Sequence, residues 1–341
     1  MKKGLLAIAS VFGFACASLN AQEPVFHELC LRPLQGDTAM CYVVKTNQIY
    51  EEGLDTMPQI IFWRRVMTMS PDSGVLSMYG KRNMYGAMSV AEWDKLGETK
   101  QNKLRDSIRT QYGLDSTTRI LFTAGKNDFY NAGGVITDIN KAVPIFVQQG
   151  VDPFYAQAIL LIESPGKVRK SYAGAMGAFQ LMPSVARSMG LKVNKKVDER
   201  KDFEKSAYAA SKLIRTICIP QLNEMLSKRG IACDSTSLWY RCMVLHIYHA
   251  GAGNVDAALN VINPTTGGMW LVKELWTTKA AQFGNASQNY SQLALAQMLE
   301  MDVVLGKKHI RPDLQKKLPR WISKKVDKKP AYERAFSFHN P

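Results

Sequence analysis

Hydrophobic and polar positions fall into distinct textures along the chain. The first 21 residues open with Lys2-Lys3, run apolar from Gly4 to Ala17 and end in Ser18-Leu19-Asn20-Ala21. That is the layout of a secretory signal peptide, with the mature chain starting at Gln22. The apolar run is below the about 18 residues needed to span a bilayer, which disfavours a membrane anchor. No second run of that length follows, so no transmembrane helix is expected.

Residues 22–135 mix short apolar runs (Ala39 to Val44, Ile60 to Trp63, Ile120 to Ala124) with Gly, Asp and Asn punctuation, and no function is legible in them. One helix signal stands out. Ser89-Val90-Ala91-Glu92 is a capping box, which predicts a helix running to Tyr112 before Gly113, weakened in its middle by Gly97. Gly125-Lys126 lacks the first glycine of a phosphate-binding GxxxxGK loop and reads as a turn.

From about residue 136 the pattern becomes long helical segments joined by small-residue loops, without convincing strand alternation up to residue 305. Asp152-Pro153 caps a helix whose apolar run ends at Glu163, before Ser164-Pro165-Gly166. Further helices are expected at 202–228, 237–250 and 287–304, with Asp202 and Ser287 as caps, Gly230, Gly251 and Gly306 as stops, and Pro220 kinking or splitting the first. The expected fold class is therefore mainly α, with a mixed amino-terminal region (22–135), a helical domain (136–305) and a carboxy-terminal tail (306–341). That tail holds eleven Lys or Arg against three acids, and serves equally well as a solvated surface or as an anion-seeking extension.

Charge and cysteine usage narrow the setting. The chain carries a net +15, which becomes +13 when Lys2 and Lys3 leave with the leader. Nucleic acid, anionic lipid and anionic cell wall all suit such a charge, and export removes most of the case for nucleic acid. Five cysteines remain after the leader: Cys30, Cys41, Cys218, Cys233 and Cys242. Cys30 with Cys41 and one pair among the other three could bridge, or all could be ordinary buried residues. The absence of CxxC spacing points away from metal.

Glu163 is the first candidate for chemistry. It closes the run Ala158-Ile159-Leu160-Leu161-Ile162, so burial and the negative end of a helix both favour its neutral acid form and raise its pKa. An isolated Glu near a helix end is more often a solvated surface group. Two further segments change that weighting. Ser171-Tyr172-Ala173-Gly174-Ala175-Met176-Gly177-Ala178-Phe179-Gln180-Leu181-Met182-Pro183 is rich in small residues that let backbone approach a ligand, and Tyr248-His249-Ala250-Gly251-Ala252-Gly253 ends a helix with a phenol and a flexible turn.

Glu163-Ser164, the Ser171 to Pro183 segment and the Tyr248 turn resemble, in order and spacing, the three motifs of the soluble lytic transglycosylase family, and Asn289-Tyr290 resembles its later tyrosine. The likeness covers about residues 136–305 and implies a lysozyme-like α-helical fold that cleaves peptidoglycan glycan strands, with Glu163 as single general acid and base forming a 1,6-anhydro product. It further implies that Ser171 hydrogen bonds the substrate acetamido carbonyl or C6 hydroxyl, that Gln180 and Met182 line the groove, and that Tyr248 and Tyr290 orient Glu163 or the muramyl residue. Taken singly, Met182 would be a core residue, Gln180 a surface amide and Tyr290 a packing position. The family needs no cofactor and no metal, and His246 with His249 read as structural. Pro165-Gly166 and His249 depart from the family pattern. No other acid lies between Glu163 and Asp198, whereas paired carboxylates are the usual glycosidase arrangement.

Three alternatives follow. A goose-type lysozyme would recruit Asp198 or Asp202 as second carboxylate. A noncatalytic wall-binding or scaffold protein would use residues 22–135 and the tail, and a nucleic-acid binder ranks last. The expected setting is periplasmic, with peptidoglycan strands and a cell-envelope protein complex as partners. An outer-membrane lipoprotein anchored at Cys16 is the lesser alternative, since Gly13-Phe14-Ala15 suits lipidation poorly.

Overall fold

The computed structural model describes residues 29–33, 40–44, 46–164 and 170–306. The leader, Pro165-Gly166, the side chains of Cys30 and Cys41, and the basic run after Gly306 lie outside the described residues.

The chain begins with an antiparallel pair, β1 (Leu29–Pro33) and β2 (Met40–Val44), in the register Leu29↔Val44 to Pro33↔Met40. Helices α1 (Asn47–Glu51) and α2 (Pro58–Thr68) follow. Then β3 (Ser73–Met78), β4 (Met84–Ser89), α3 (Val90–Gln111) and β5 (Ile120–Ala124) form a small unit whose antiparallel sheet has the order β4-β3-β5. The rest is helical: α4 (Ile136–Gln148), α5 (Pro153–Glu163), α6 (Pro183–Ser188), α7 (Phe203–Leu213), α8 (Ile219–Lys228), α9 (Leu238–Ala250), α10 (Ala252–Ile262), α11 (Met269–Leu275) and α12 (Asn285–Val304). The fold is thus mainly α, as the periodicity predicts. No helix among the described residues is long and apolar enough to cross a membrane.

Local chemistry accounts for most boundaries. The Ser89 capping box forms as expected, Ser89 Oγ accepting from Glu92 N at 3.1 Å and Ser89 N donating to Glu92 Oε2 at 2.9 Å. Gly97 interrupts α3 with φ 63° and ψ 166°, turning the expected weak point into a kink. Asp152 caps α5 by accepting from Phe154 N at 2.8 Å, and Asp202 caps α7 by accepting from Lys205 N at 3.0 Å. The helix expected at 202–228 widens into a π-turn at Ile214–Cys218 between α7 and α8. Pro220 explains this, because it has no N–H for the helical bond and its ring crowds the preceding turn. Ser287 is a correction: α12 starts earlier, at Asn285 behind Gly284, and Ser287 is buried inside it.

Two hydrophobic cores result among the described residues. A small one gathers Leu76, Tyr85, Trp93, Ile108 and Ile120 under the three-stranded sheet. The principal core is continuous from Val44, Ile49, Phe62 and Trp63 through α4, α5, α7 and α9 to α12, so it crosses residue 135 without interruption. At its centre α5 is buried from Pro153 to Ile162, and α12 packs against α2, α5 and α9 at once. A helix buried on all sides must satisfy its polar groups internally. Trp63 Nε1 accordingly donates to Gln292 Oε1 at 3.0 Å, and Trp276 Nε1 to Ser291 Oγ at 2.8 Å. Cys218, Cys233 and Cys242 are all free, so of the readings open for these three it is the unbridged one that the structure holds. Burial pushes the Cys218 and Cys242 thiols up to about 12, leaving them inert.

Candidate active site

Glu163 is the last residue of α5, and the apolar helix behind it gives its carboxyl a poorly solvating surround. The residue as a whole is half-buried. Desolvation raises its pKa to about 7, while a hydrogen bond from the Tyr290 hydroxyl to Oε1, 2.9 Å long, pulls the other way. The helix C-terminus acts with desolvation, since its dipole disfavours a negative charge. Tyr290 comes from α12 and is buried, with His249 stacked on its ring at 4.4 Å between centroids and 19° between planes. His249 is exposed, yet desolvation lowers its pKa, so the ring is neutral near pH 7.

Beside Glu163 the small-residue segment folds into a tight, cross-braced loop. The buried Ser164 Oγ donates to Ala178 O at 2.8 Å, which ties the end of α5 to the loop. Met176 and Leu181 pair across a short hairpin, with Gln180 at φ 46° at its turn and the Gln180 amide donating to Gly177 O at 2.9 Å. Gly177 has φ 87°, and a Cβ there would lie 1.9 Å from Arg200 O, so only glycine fits. Arg200, 4% exposed, closes the brace from below, donating to Gly174 O at 2.8 Å and Leu181 O at 2.9 Å and pairing with Asp198 at 2.7 Å. Ser171 Oγ accepts from Ala175 N at 2.9 Å, which shapes the loop and leaves the hydroxyl proton able to donate outward. Met182 remains exposed at the start of α6.

A helix-ending carboxyl tied through its neighbouring serine to a glycine-rich loop is thus one local unit, and its sequence can be compared with known families. Residues 146–262 match the transglycosylase SLT domain. No curated protein matches the chain. The SLT segment contains α5 with Glu163, the whole loop, α9 and α10, but it ends before α12. Tyr290, the group that holds Glu163, therefore comes from outside it.

The structure sorts the expected tyrosine roles. Tyr290 bonds Glu163, whereas Tyr248 donates to Phe179 O at 2.6 Å and so anchors the loop instead of the carboxyl. Phe179 is fully buried and stacks on Phe146 with centroids 5.6 Å apart, making it the plug that seats the loop in the core. A third phenol was not foreseen. Burial raises the pKa of Tyr130, Tyr248 and Tyr290, and the Glu163 charge adds to each, so Tyr130 also lies within electrostatic reach of Glu163. Tyr130 precedes α4 in the region that carried no motif, and nothing in its local sequence marks it. Tyr172, fully exposed at the loop, is a further aromatic surface that the motif alone left unassigned.

The acids proposed as second carboxylates are occupied. Asp198 is held below the usual carboxylate range by its hydrogen bonds from Arg200, and Asp202 caps α7. Among the described residues no carboxylate contributes to the shift of Glu163. His246, fully buried, bonds Ser291 Oγ through Nε2 at 2.9 Å, and desolvation lowers it to about 3, which keeps it a neutral packing residue. Among the described residues no group of three His, Cys, Asp or Glu stands ready to hold a metal ion.

Proposed function

We propose that this protein is an exported lytic transglycosylase that cleaves the β-1,4 bond between N-acetylmuramic acid and N-acetylglucosamine in peptidoglycan, leaving a 1,6-anhydromuramyl end. The observation that carries this reading is the carboxyl of Glu163, its pKa raised to about 7 so that a large share is protonated near neutral pH, with no second carboxylate among the described residues contributing to that shift. With the Tyr290 hydroxyl donating to Oε1, the acid proton is left on Oε2, free to be given away. Glu163 would protonate the glycosidic oxygen as the bond to C1 breaks, and N-acetylglucosamine leaves as an alcohol. The resulting carboxylate would take the proton of the muramyl C6 hydroxyl while that oxygen bonds to C1 and closes the anhydro ring. The attacking hydroxyl belongs to the same sugar, so no water needs to be positioned and one carboxyl serves both steps.

Ser171 would donate to the acetamido carbonyl or to the C6 hydroxyl, with Gln180 and Met182 lining the sugar path. Tyr290 would orient the acid, and Tyr248 would act through the loop it anchors. The signal peptide at 1–21 and a periplasmic setting are part of the proposal, with the basic tail and a cell-envelope complex as further means of holding the enzyme at the wall.

Mass spectrometry of muropeptides released from purified peptidoglycan tests this. Anhydromuramic ends from the native protein, lost in Glu163→Gln, are expected. Reducing ends would indicate hydrolysis of the goose-type lysozyme kind, and binding without release would indicate a noncatalytic wall protein.

A further inference from the structure

Between α6 and α7 the chain turns back at Lys195-Lys196, and the turn is rigidly built. Val193 bridges Asp198, Asn194 N donates to Val197 O at 2.8 Å, and Asn194 Oδ1 accepts from Lys196 N at 2.8 Å and Val197 N at 2.9 Å. This holds two lysines at a recess of about 310 Å³, whose other cations are Lys170, Lys201 and Arg200. Met176 of the loop hairpin and the exposed Val197 supply apolar lining.

The charge in the recess is not balanced from within. Asp198, its one carboxylate, is closed on Arg200 by a bidentate pair with bonds of 2.8 and 2.7 Å. The nearby Glu199 is spent on Lys192 N and Lys205 Nζ. Among the described residues Lys170, Lys195, Lys196 and Lys201 are left with no ion pair. Four like charges around a concavity repel one another and lower the energy of an anion that enters it. Lys170 directly precedes Ser171, and Met176 belongs to the hairpin that carries Gln180, so the recess adjoins the loop assigned above to the saccharide.

We propose that this recess binds the acidic peptide carried by the glycan, its lysines taking the peptide carboxylates and Met176 and Val197 the small apolar side chains between them. A flexible chain with spaced carboxylates and short aliphatic groups suits a mixed basic and apolar lining better than a phosphate polymer, which offers nothing to the apolar part. The inference rests on the glycan-cleaving reading for its substrate, and its test separates the two.

The mature protein and a Lys195→Glu/Lys196→Glu variant are assayed on glycan strands with their peptides and on strands from which an amidase has removed them. The native protein should show a lower KM on the peptide-bearing strands, and the variant should lose that preference by about fivefold or more, in the range expected for two exposed charges reversed at a binding site. Raising salt to about 0.5 M should erode the native preference in the same way, because screening shortens to a few ångströms. Equal KM values for both substrates in the native protein, or a preference retained by the variant, would overturn the peptide site while leaving cleavage intact. Should neither strand be cleaved, titration with the free soluble stem peptide decides the site independently: binding lost in the variant supports it. No binding, or binding only of a phosphate-rich wall polymer, rejects it.

Discussion

The two sides of the Glu163 site are held in place by different means. The side supplied by the SLT segment is braced from within that segment, through Ser164 to Ala178, Tyr248 to Phe179 and Arg200 to Gly174 and Leu181. The opposite side, Tyr290 on α12, is set from far away in the chain. Residues 46–82 grip that helix along its length: Tyr79 on Gln288 at 3.2 Å, Arg82 on Asn289 at 3.3 Å, Trp63 on Gln292 at 3.0 Å, and Arg64 on Glu300. Bracing within the segment fixes where the end of α5 and the loop sit relative to each other. The distant grip decides how Glu163 is hydrogen bonded, and through Tyr290 it offsets part of the rise in pKa that desolvation causes.

The largest effect should come from removing the distant grip altogether. A chain shortened to residues 136–341 strips Phe62, Trp63 and Val66 from the principal core and leaves the buried amides of α12 without partners. Each large side chain contributes about 1.5–3 kcal/mol by burial, and a domain holds only about 5–15 kcal/mol in all. The shortened chain should show no cooperative thermal transition by circular dichroism. A cooperative melt with retained cleavage would mean that the α12 contacts are dispensable.

Next comes Glu163→Gln, which should lower cleavage by roughly 10²–10⁴-fold. Stability should move in the opposite direction. The folded pKa of Glu163, about 7, lies above its unfolded value, so the native state binds this proton more tightly. The associated stability is fully present below the unfolded pKa and is lost as pH rises through about 7. The amide carries no such penalty, so at pH 8 the variant should be more stable by ~1–2 kcal/mol, discounted for the partial exposure of the residue. Thermal melts of both proteins at pH 5 and pH 8 check this: the gap should open at pH 8 and shrink at pH 5.

The same division between local and distant contacts governs what the sequence revealed. Glu163 stood out because an apolar run ending in Glu, a small-residue loop eight positions later and a helix-ending Tyr are all local patterns. Helix caps at Ser89, Asp152 and Asp202 were legible for the same reason, since each depends on three or four neighbouring residues. Ser287 misled because α12 begins two residues earlier, at Asn285 directly behind Gly284 and the turn around Ala280 and Phe283, which leaves the serine buried inside the helix. Ile60 to Trp63 read only as an apolar run. It is part of α2, where Pro58 at the first turn and buried Phe62, Val66 and Met67 make a stripe that needed α12 as its partner to be recognised. Tyr130 and the Arg200 brace could not be read at all, because their neighbours are distant in sequence or are backbone carbonyls.

Tyr290→Phe should come third. It removes the hydrogen bond that favours the charged carboxylate, so the pKa of Glu163 should climb further above about 7. Under the proposed mechanism the first step needs the protonated acid, so the alkaline limb of the pH–rate profile should move to higher pH, while the maximal rate falls by about tenfold through loss of orientation. A limb that stays in place would show that Tyr290 is only a packing residue.

Tyr248→Phe is the same chemical change made on the side braced within the SLT segment, and it should have the smallest effect. It deletes the 2.6 Å bond to Phe179 O and leaves that carbonyl without its donor, at a cost of about 1–3 kcal/mol in stability. The loop keeps its ties through Ser164 and Arg200, so Ser171 and Gln180 should shift little. KM should therefore rise a few-fold, with kcat nearly unchanged and the alkaline limb where it was, because Tyr248 gives no hydrogen bond to Glu163. If the limb instead moved as far as in Tyr290→Phe, the Tyr248 phenol would have to turn from Phe179 to the acid when substrate binds, and the boundary between the bracing side and the tuning side would fall inside the SLT segment rather than at its edge.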